Sequence, residues 1–375
     1  MNFFYLHLKK IDWILLGAIS ALCLISLAVI FNLSSINFHK QLIWFGLGIF
    51  ILILISLADY RILKTYPAPL LFIYFLSSIL LLGVIFFGQR VRGSLSWFNL
   101  GLATFQPTEI AKPILVLLLA KYFSLRHIEM YRIRHLVVSG IYAFLPIALL
   151  LAQPDLGSAV IFGLIWLGMV LLSGIKSRHL LAVILIFGII SVLAWNFFLA
   201  DYQKGRIMTF LRPETDFRGR GYQARQTLVA AGSGGFFGLG LGQGYQARLG
   251  FLPEPTTDFI FSAISEELGL AAGIFIFFLY GIIFWRIMKI GLAADNNFAR
   301  LYSLGLGVML AANLAISIGM NLGLLPITGI PTPFLSYGGS YLISLFLAFG
   351  ILQGIHVRNR SDSLLTLYYR DIGFQ

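Results

Sequence analysis

Charge is what this sequence has least of. Asp, Glu, Lys and Arg together make up 11% of its 375 residues, while 59% are hydrophobic. Soluble domains carry about 25% charged residues, so a water-facing surface of ordinary composition is excluded. Cysteine is nearly absent too. The single Cys23 lies inside an apolar run, which rules out a disulfide framework or a cysteine metal cluster.

Apolar length is abundant. Windows such as 13–31, 41–58 and 68–88 run with almost no charge for the roughly 18 residues or more that cross a bilayer core, and several are apolar all round rather than amphipathic. The pattern predicts an all-α polytopic membrane protein with spans near 11–31, 39–58, 68–88, 107–123, 136–153, 155–173, 179–199, 259–285, 300–323 and 336–356. The start, MNFFYLHLKKIDW, is basic and leads into an apolar stretch, as in a signal peptide. That stretch reaches from Ile14 to Phe31, too long for a signal core and without a small-residue cleavage site. It is expected to stay as the first span.

A net charge of +12 invites a nucleic-acid partner, but no nucleic acid is expected, because most of the basic residues sit in short loops between spans. Residues such as Lys9, Lys10, Arg61, Lys64, Arg126, Arg132, Lys176, Arg178 and Arg286 fall on the side of the amino terminus, against Lys40, Arg90 and Arg92 on the other. This asymmetry places the amino end inside and the long loop 200–258 outside. That loop is the one segment large enough to carry structure outside the membrane, and loops of such length are usually functional. A single transmembrane domain over 1–360 is expected, with 361–375 as a short cytoplasmic tail. GYQAR occurs twice, at 221–225 and 244–248, too short a match for a structural repeat.

Chemistry has few places to reside. In FLPEPTTDFIFSAISEELG, Asp258 stands directly before an apolar run. If that helix begins near Thr257, a carboxylate in its first turn is a plain cap, favoured by the helix dipole. An acid at a membrane edge is equally a functional position, and Ser262, Ser265 and Gly269 share its helical face. Both readings stand at this point. In FQPTEIAKP, Glu109 and Lys112 are three apart and can pair, with Pro113 distorting the helix beside them. The pair suits either a structural lock between helices or a wet cavity. The long loop holds Lys204, Arg206, Arg212, Arg218, Arg220 and Arg225, followed by GSGGFFGLGLGQG. Arginine forks suit phosphate oxygens, of a substrate or of membrane lipids. GLGLGQG lacks the strand and βαβ setting of a dinucleotide fingerprint, so a nucleotide fold is rejected. In PITGIPTPFLSYGGS, three prolines in eight residues preclude ordinary helix; such backbone at membrane depth must be buried or line a cavity. Asp155 in QPDLGS is expected to cap a helix. Two classes fit these residues: an enzyme on an anionic lipid-linked substrate, or a transporter or flippase using the intramembrane charges.

FQPTEIAKP, QPDLGS, the R-x-x-x-F-L-x-P stretch at 206–213, GYQARQ, LPEPTTDFIFSAISEELG and PTPFLSYGGS follow one another in this order, and in this the chain resembles the SEDS family from the first span to about Arg358. The short amino-terminal lead favours the elongation branch over the division branch. The resemblance implies the SEDS fold in a bacterial cytoplasmic membrane with the active site facing outward. It implies a peptidoglycan glycosyltransferase that polymerises lipid II with inversion. The family's essential aspartate matches Asp258, as general base, and its buried pair matches Glu109 and Lys112; Thr108 stands where the family often has Ser. Arg206 and Arg212 are candidates for the pyrophosphate, with Gln106, Thr257, Ser336, Gly338 and Gly339 as further substrate-binding positions. A divalent cation, Mg or Mn, could assist the leaving group. Implied partners are a class B penicillin-binding protein transpeptidase and other elongation-complex proteins, since no external segment of this chain has the size or the S-x-x-K motif for cross-linking.

Overall fold

The structure is a computed structural model that describes residues 3–91, 94–99, 101, 104–126, 133–198, 201–212 and 219–371. Arg92, Arg132, Pro213 and Arg218 of the loop and charge patterns lie outside the described residues. The chain forms α1 (Phe3–Lys10), α2 (Trp13–Leu33), α3 (Ser35–Leu57), α4 (Arg61–Thr65) and α5 (Pro67–Phe87). Three short strands follow, β1 (Gln89–Val91), β2 (Ser94–Asn99) and β3 (Thr104–Phe105). Then come α6 (Pro107–Ser124), α7 (Ile133–Ala152), α8 (Leu156–Leu172) and α9 (Ser177–Leu193), the last continued by a π-helical turn, Ala194–Phe198. The long loop carries α10 (Asp201–Leu211), α11 (Arg220–Ser233) and α12 (Tyr245–Arg248), before α13 (Ile260–Leu292), α14 (Asn297–Asn321) and α15 (Gly339–Asp371).

Among the described residues, 8 helices are long and apolar enough to cross a membrane: α2, α3, α5, α7, α9 with its π turn, α13, α14 and α15. The other two expected spans are α8, of 17 residues, and α6, of 18 residues with Glu109, Lys112 and Lys121 in it. Local chemistry sets the helix starts. Asp12 accepts the Leu15 N–H at 3.1 Å, Asp155 that of Ser158 at 3.0 Å and Asn296 that of Ala299 at 3.0 Å, each satisfying an N–H that the helix leaves open. Proline opens α5 and α6, where its missing N–H is not needed.

The most polar span lies at the centre. Nearly every residue of α6 is buried, packed among α5, α8, α14 and α15. Its charges would be costly against lipid and are enclosed by protein. The all-apolar helices stand outside: α5 turns Phe72, Phe75 and Ile79 outward, and α9 exposes Leu181, Ile184 and Phe187. Large exposed apolar side chains on a soluble surface would be a liability; here they form the face toward acyl chains. At one end of the bundle Arg286 pairs with Asp12 at 2.6 Å. Gln353 accepts the Asp12 N–H at 3.0 Å, so α2, α13 and α15 are tied together there.

The strands are a departure from the expected plain loop. They form an antiparallel sheet in the order β1-β2-β3, with Arg90 opposite Leu95 and Phe98 opposite Phe105. The Leu95 N–H donates to the Gln153 carbonyl at 3.3 Å, which fastens the sheet to the end of α7.

Candidate active site

The turn before α13 presents Asp258. The N–H groups of Thr257 and Phe259 both donate to the Glu254 carbonyl, at 3.2 and 3.3 Å, and Glu254 takes the left-handed conformation, φ 49, that closes this turn. The helix itself begins at Ile260, with Phe259 at the cap position and no side-chain cap bond. Asp258 therefore stands one residue before the cap position, outside the first turn. Its backbone is held from a neighbouring helix. Asn321, at the end of α14, donates from Nδ2 to the Asp258 carbonyl at 2.9 Å, and its Oδ1 accepts the Ser262 N–H at 3.1 Å. Asn321 was not singled out from the sequence; its one signal is an amide inside an apolar helix.

Non-helical backbone 326–338 forms the facing wall, and its polar groups are satisfied as buried backbone requires. Ser336 Oγ accepts the Thr332 N–H at 2.7 Å and donates to the Thr257 carbonyl at 2.6 Å. The Tyr337 N–H donates to the Thr256 carbonyl at 2.8 Å. Gln41 of α3 bridges the Ser336 carbonyl, at 3.2 Å, and the Gly338 N–H, at 3.3 Å. Gly329 lies so near the carboxylate that a Cβ added there would be 3.5 Å from Asp258 Oδ2.

Between these walls is a cavity of 490 Å³. Asp258, Thr257, Glu254, Arg206, Gln223, Gln106, Glu109, Asp155, Tyr337, Gly338 and Tyr341 line it, with Ser94, Ser96 and Trp97 of the sheet on one side. Glu109 reaches the cavity, and Lys112 stands behind it. Lys112 Nζ lies 2.9 Å from both Glu109 oxygens, 3.3 Å from Asn313 Oδ1 and 5.5 Å from the Tyr341 ring centre. Asp155 caps α8 as expected, and its Oδ2 also accepts the Ser158 hydroxyl at 2.7 Å.

The structure thus brings together Asp258, Thr257, Glu109, Gln106, Arg206 and Gly338, and places Ser336 and Lys112 directly behind them. Two candidates are not brought in. Arg212 is exposed beyond the end of α10, and Gly339 begins α15 packed against Trp44, whose ring a Cβ there would meet at 2.5 Å. Asp155, Glu254 and Asp258 share the cavity, yet no group of three or more His, Cys, Asp or Glu among the described residues converges to hold a metal ion. Among the described residues the donor set does not fit a resident metal centre.

The glycine-rich loop has a structural task. Helix α13 breaks at Gly269, φ 74 and ψ -174, and the loop supplies the partners that the break removes. The N–H groups of Leu239 and Gly240 donate to the Glu266 and Glu267 carbonyls at 3.0 and 2.9 Å, and those of Leu270 and Ala271 donate to Gly235 and Phe236 at 2.9 and 3.0 Å. The Glu266 carboxylate accepts the N–H groups of Gln246 and Ala247 at 2.7 and 3.1 Å. A Cβ at Gly269 would lie 2.3 Å from the Gly238 nitrogen. Gly269→Ala is expected to destabilise by more than ~1 kcal/mol, seen as lower folded yield and earlier thermal unfolding in detergent. Unfolding at the wild-type temperature would show that the loop is not pinned in this way.

With this geometry in place, comparison with known proteins decides the family. The model for cell cycle proteins of the FtsW, RodA and SpoVE type matches residues 6–361. The chain belongs to the FtsW/RodA/SpoVE family. It is 37% identical over 316 residues to the peptidoglycan glycosyltransferase MrdB of Escherichia coli K12, covering 84% of each chain. It is 35% identical to the stage V sporulation protein E of Bacillus subtilis, covering 84% of this chain and 86% of that one. Among solved structures of this family, a peptidoglycan synthase complex that coordinates polymerization and crosslinking matches with TM-score 0.80 and 28% identity, over 93% of this chain and 98% of its counterpart. The rod shape determining protein RodA of Thermus thermophilus matches with TM-score 0.69 and 27% identity, over 93% and 97%.

Proposed function

We propose that the protein is a peptidoglycan glycosyltransferase that polymerises lipid II into β-1,4-linked glycan during cell elongation, at the outer face of the cytoplasmic membrane. One observation carries this reading: Asp258 stands outside its helix, held by its backbone, with its side chain at a polar cavity that Arg206 also lines. In the reaction, Asp258 takes the proton from the 4-hydroxyl of the acceptor GlcNAc. The oxygen attacks C1 of the donor MurNAc, the bond from C1 to the pyrophosphate oxygen breaks, and undecaprenyl pyrophosphate leaves with the electron pair. Attack opposite the leaving group inverts C1. Arg206 offers its fork to the departing pyrophosphate, and Gln106, Gln223 and the Tyr337 hydroxyl offer neutral partners to the sugars.

The synthase complex, which joins polymerization to crosslinking, supports a partnership with a crosslinking enzyme, and a class B penicillin-binding protein transpeptidase is the partner that fits this role. The test uses the purified full chain with lipid II, alone and with that transpeptidase lacking its acylating serine. Glycan chains are expected, at a low rate alone and several-fold faster with the inactive partner. A partner can shift activity only by binding the active form better. Lipid transfer between leaflets without polymer would replace this reading with a flippase.

A further inference from the structure

A second, smaller cavity of 190 Å³ adjoins the first. Its walls are apolar, from Phe210 of α10, Leu228 of α11, Met320 of α14 and Leu325 beyond it, and Arg206 and Arg225 are the two charged residues that line it. Arg206 and Ile327 line both cavities, so the two adjoin at these residues. The volume is below the ~300 Å³ at which pockets for drug-sized molecules begin, enough for a short length of chain and not for a whole lipid.

We infer that this pocket receives the pyrophosphate and first isoprene units of the lipid-linked substrate, with Arg225 joining Arg206 on the phosphates. The inference rests on the polymerase reading above. Two features argue for it. Paired guanidinium forks match the charge and geometry of a diphosphate better than the single charge of a phospholipid phosphodiester. The shared position of Arg206 also puts a bound pyrophosphate at the boundary, with sugars on the Asp258 side and apolar chain on the Leu228 side. Arg225 thereby takes the place that Arg212, more distant, does not fill.

The test is photolabelling of the full chain in detergent with farnesyl pyrophosphate that carries a benzophenone at its far end. Label is expected on peptides containing Phe210, Leu228 or Met320, displaced by undecaprenyl pyrophosphate and not by phosphatidylglycerol at the same mole fraction. Arg225→Ala is expected to reduce labelling about tenfold, from loss of a charge-assisted hydrogen bond. Arg225→Lys, which keeps charge without the fork, should fall between. Because Arg225 is exposed, these changes leave the core intact, and unchanged thermal unfolding verifies this. Label elsewhere, equal displacement by phosphatidylglycerol, or full labelling of Arg225→Ala would each overturn the subsite. Pocket labelling in a protein that makes no polymer would remove the polymerase reading and leave the subsite; polymer with label elsewhere would remove the subsite alone.

Discussion

Asp258→Asn is expected to lower glycan polymerisation by about 10²–10⁴-fold, the range that a positioned general base contributes, while thermal unfolding in detergent stays at the wild-type temperature. The two halves of this result have separate causes. Asparagine matches aspartate in size but cannot accept the acceptor's proton. The bond from Asn321 reaches the residue 258 carbonyl and survives the change. The cap position of α13 is Phe259, which makes no side-chain bond, so the change at residue 258 leaves the cap residue itself in place. Polymer made at the normal rate by Asp258→Asn would remove Asp258 as the base. Loss of folded protein along with activity would point to a structural carboxylate.

The second large effect is expected at the ion pair of α6. Glu109 and Lys112 are 2% and 1% exposed, so a charge left by removing its partner stays largely desolvated. Replacing either by alanine strands a charge inside the bundle, at roughly 3–5 kcal/mol. Glu109→Ala leaves Lys112 with only the Asn313 amide oxygen and the face of Tyr341. Lys112→Ala leaves a carboxylate at the cavity wall. Removing both takes away the stranded charge as well, so the double variant should be less damaged than the sum of the two. Thermal unfolding and glycan yield of the four proteins measure this. Strictly additive losses would mean that the two residues act apart.

Much of the bundle was legible because a bilayer imposes one length and one polarity. Runs of apolar residues located α2, α3, α5 and α14 closely, and a spacing of three residues paired Glu109 with Lys112 before any coordinates. The misses have physical reasons. The span expected over 259–285 begins at Ile260, but the sequence leaves open whether Asp258 falls inside or outside the first turn. The turn that Glu254 closes depends on one backbone conformation, which residue type alone does not announce. The sheet at 89–105 escaped because its strands are of 3, 6 and 2 residues, too short for alternation to be counted. Among the arginines of the long loop, composition showed affinity for phosphate. Only the packing of α10 on α11, and of α11 on α14, distinguishes Arg206 and Arg225 from Arg212.

The break at Gly269 divides α13 into parts with different surroundings. Below it, the span packs against α2 and α14 and is tied to Asp12 through Arg286. Above it, residues 260–268 are bound to the glycine-rich loop and to Asn321. A shift of the lower part is therefore not passed to Asp258 along an unbroken helix, because the contacts that seat Asp258 and those that seat the span are separate sets.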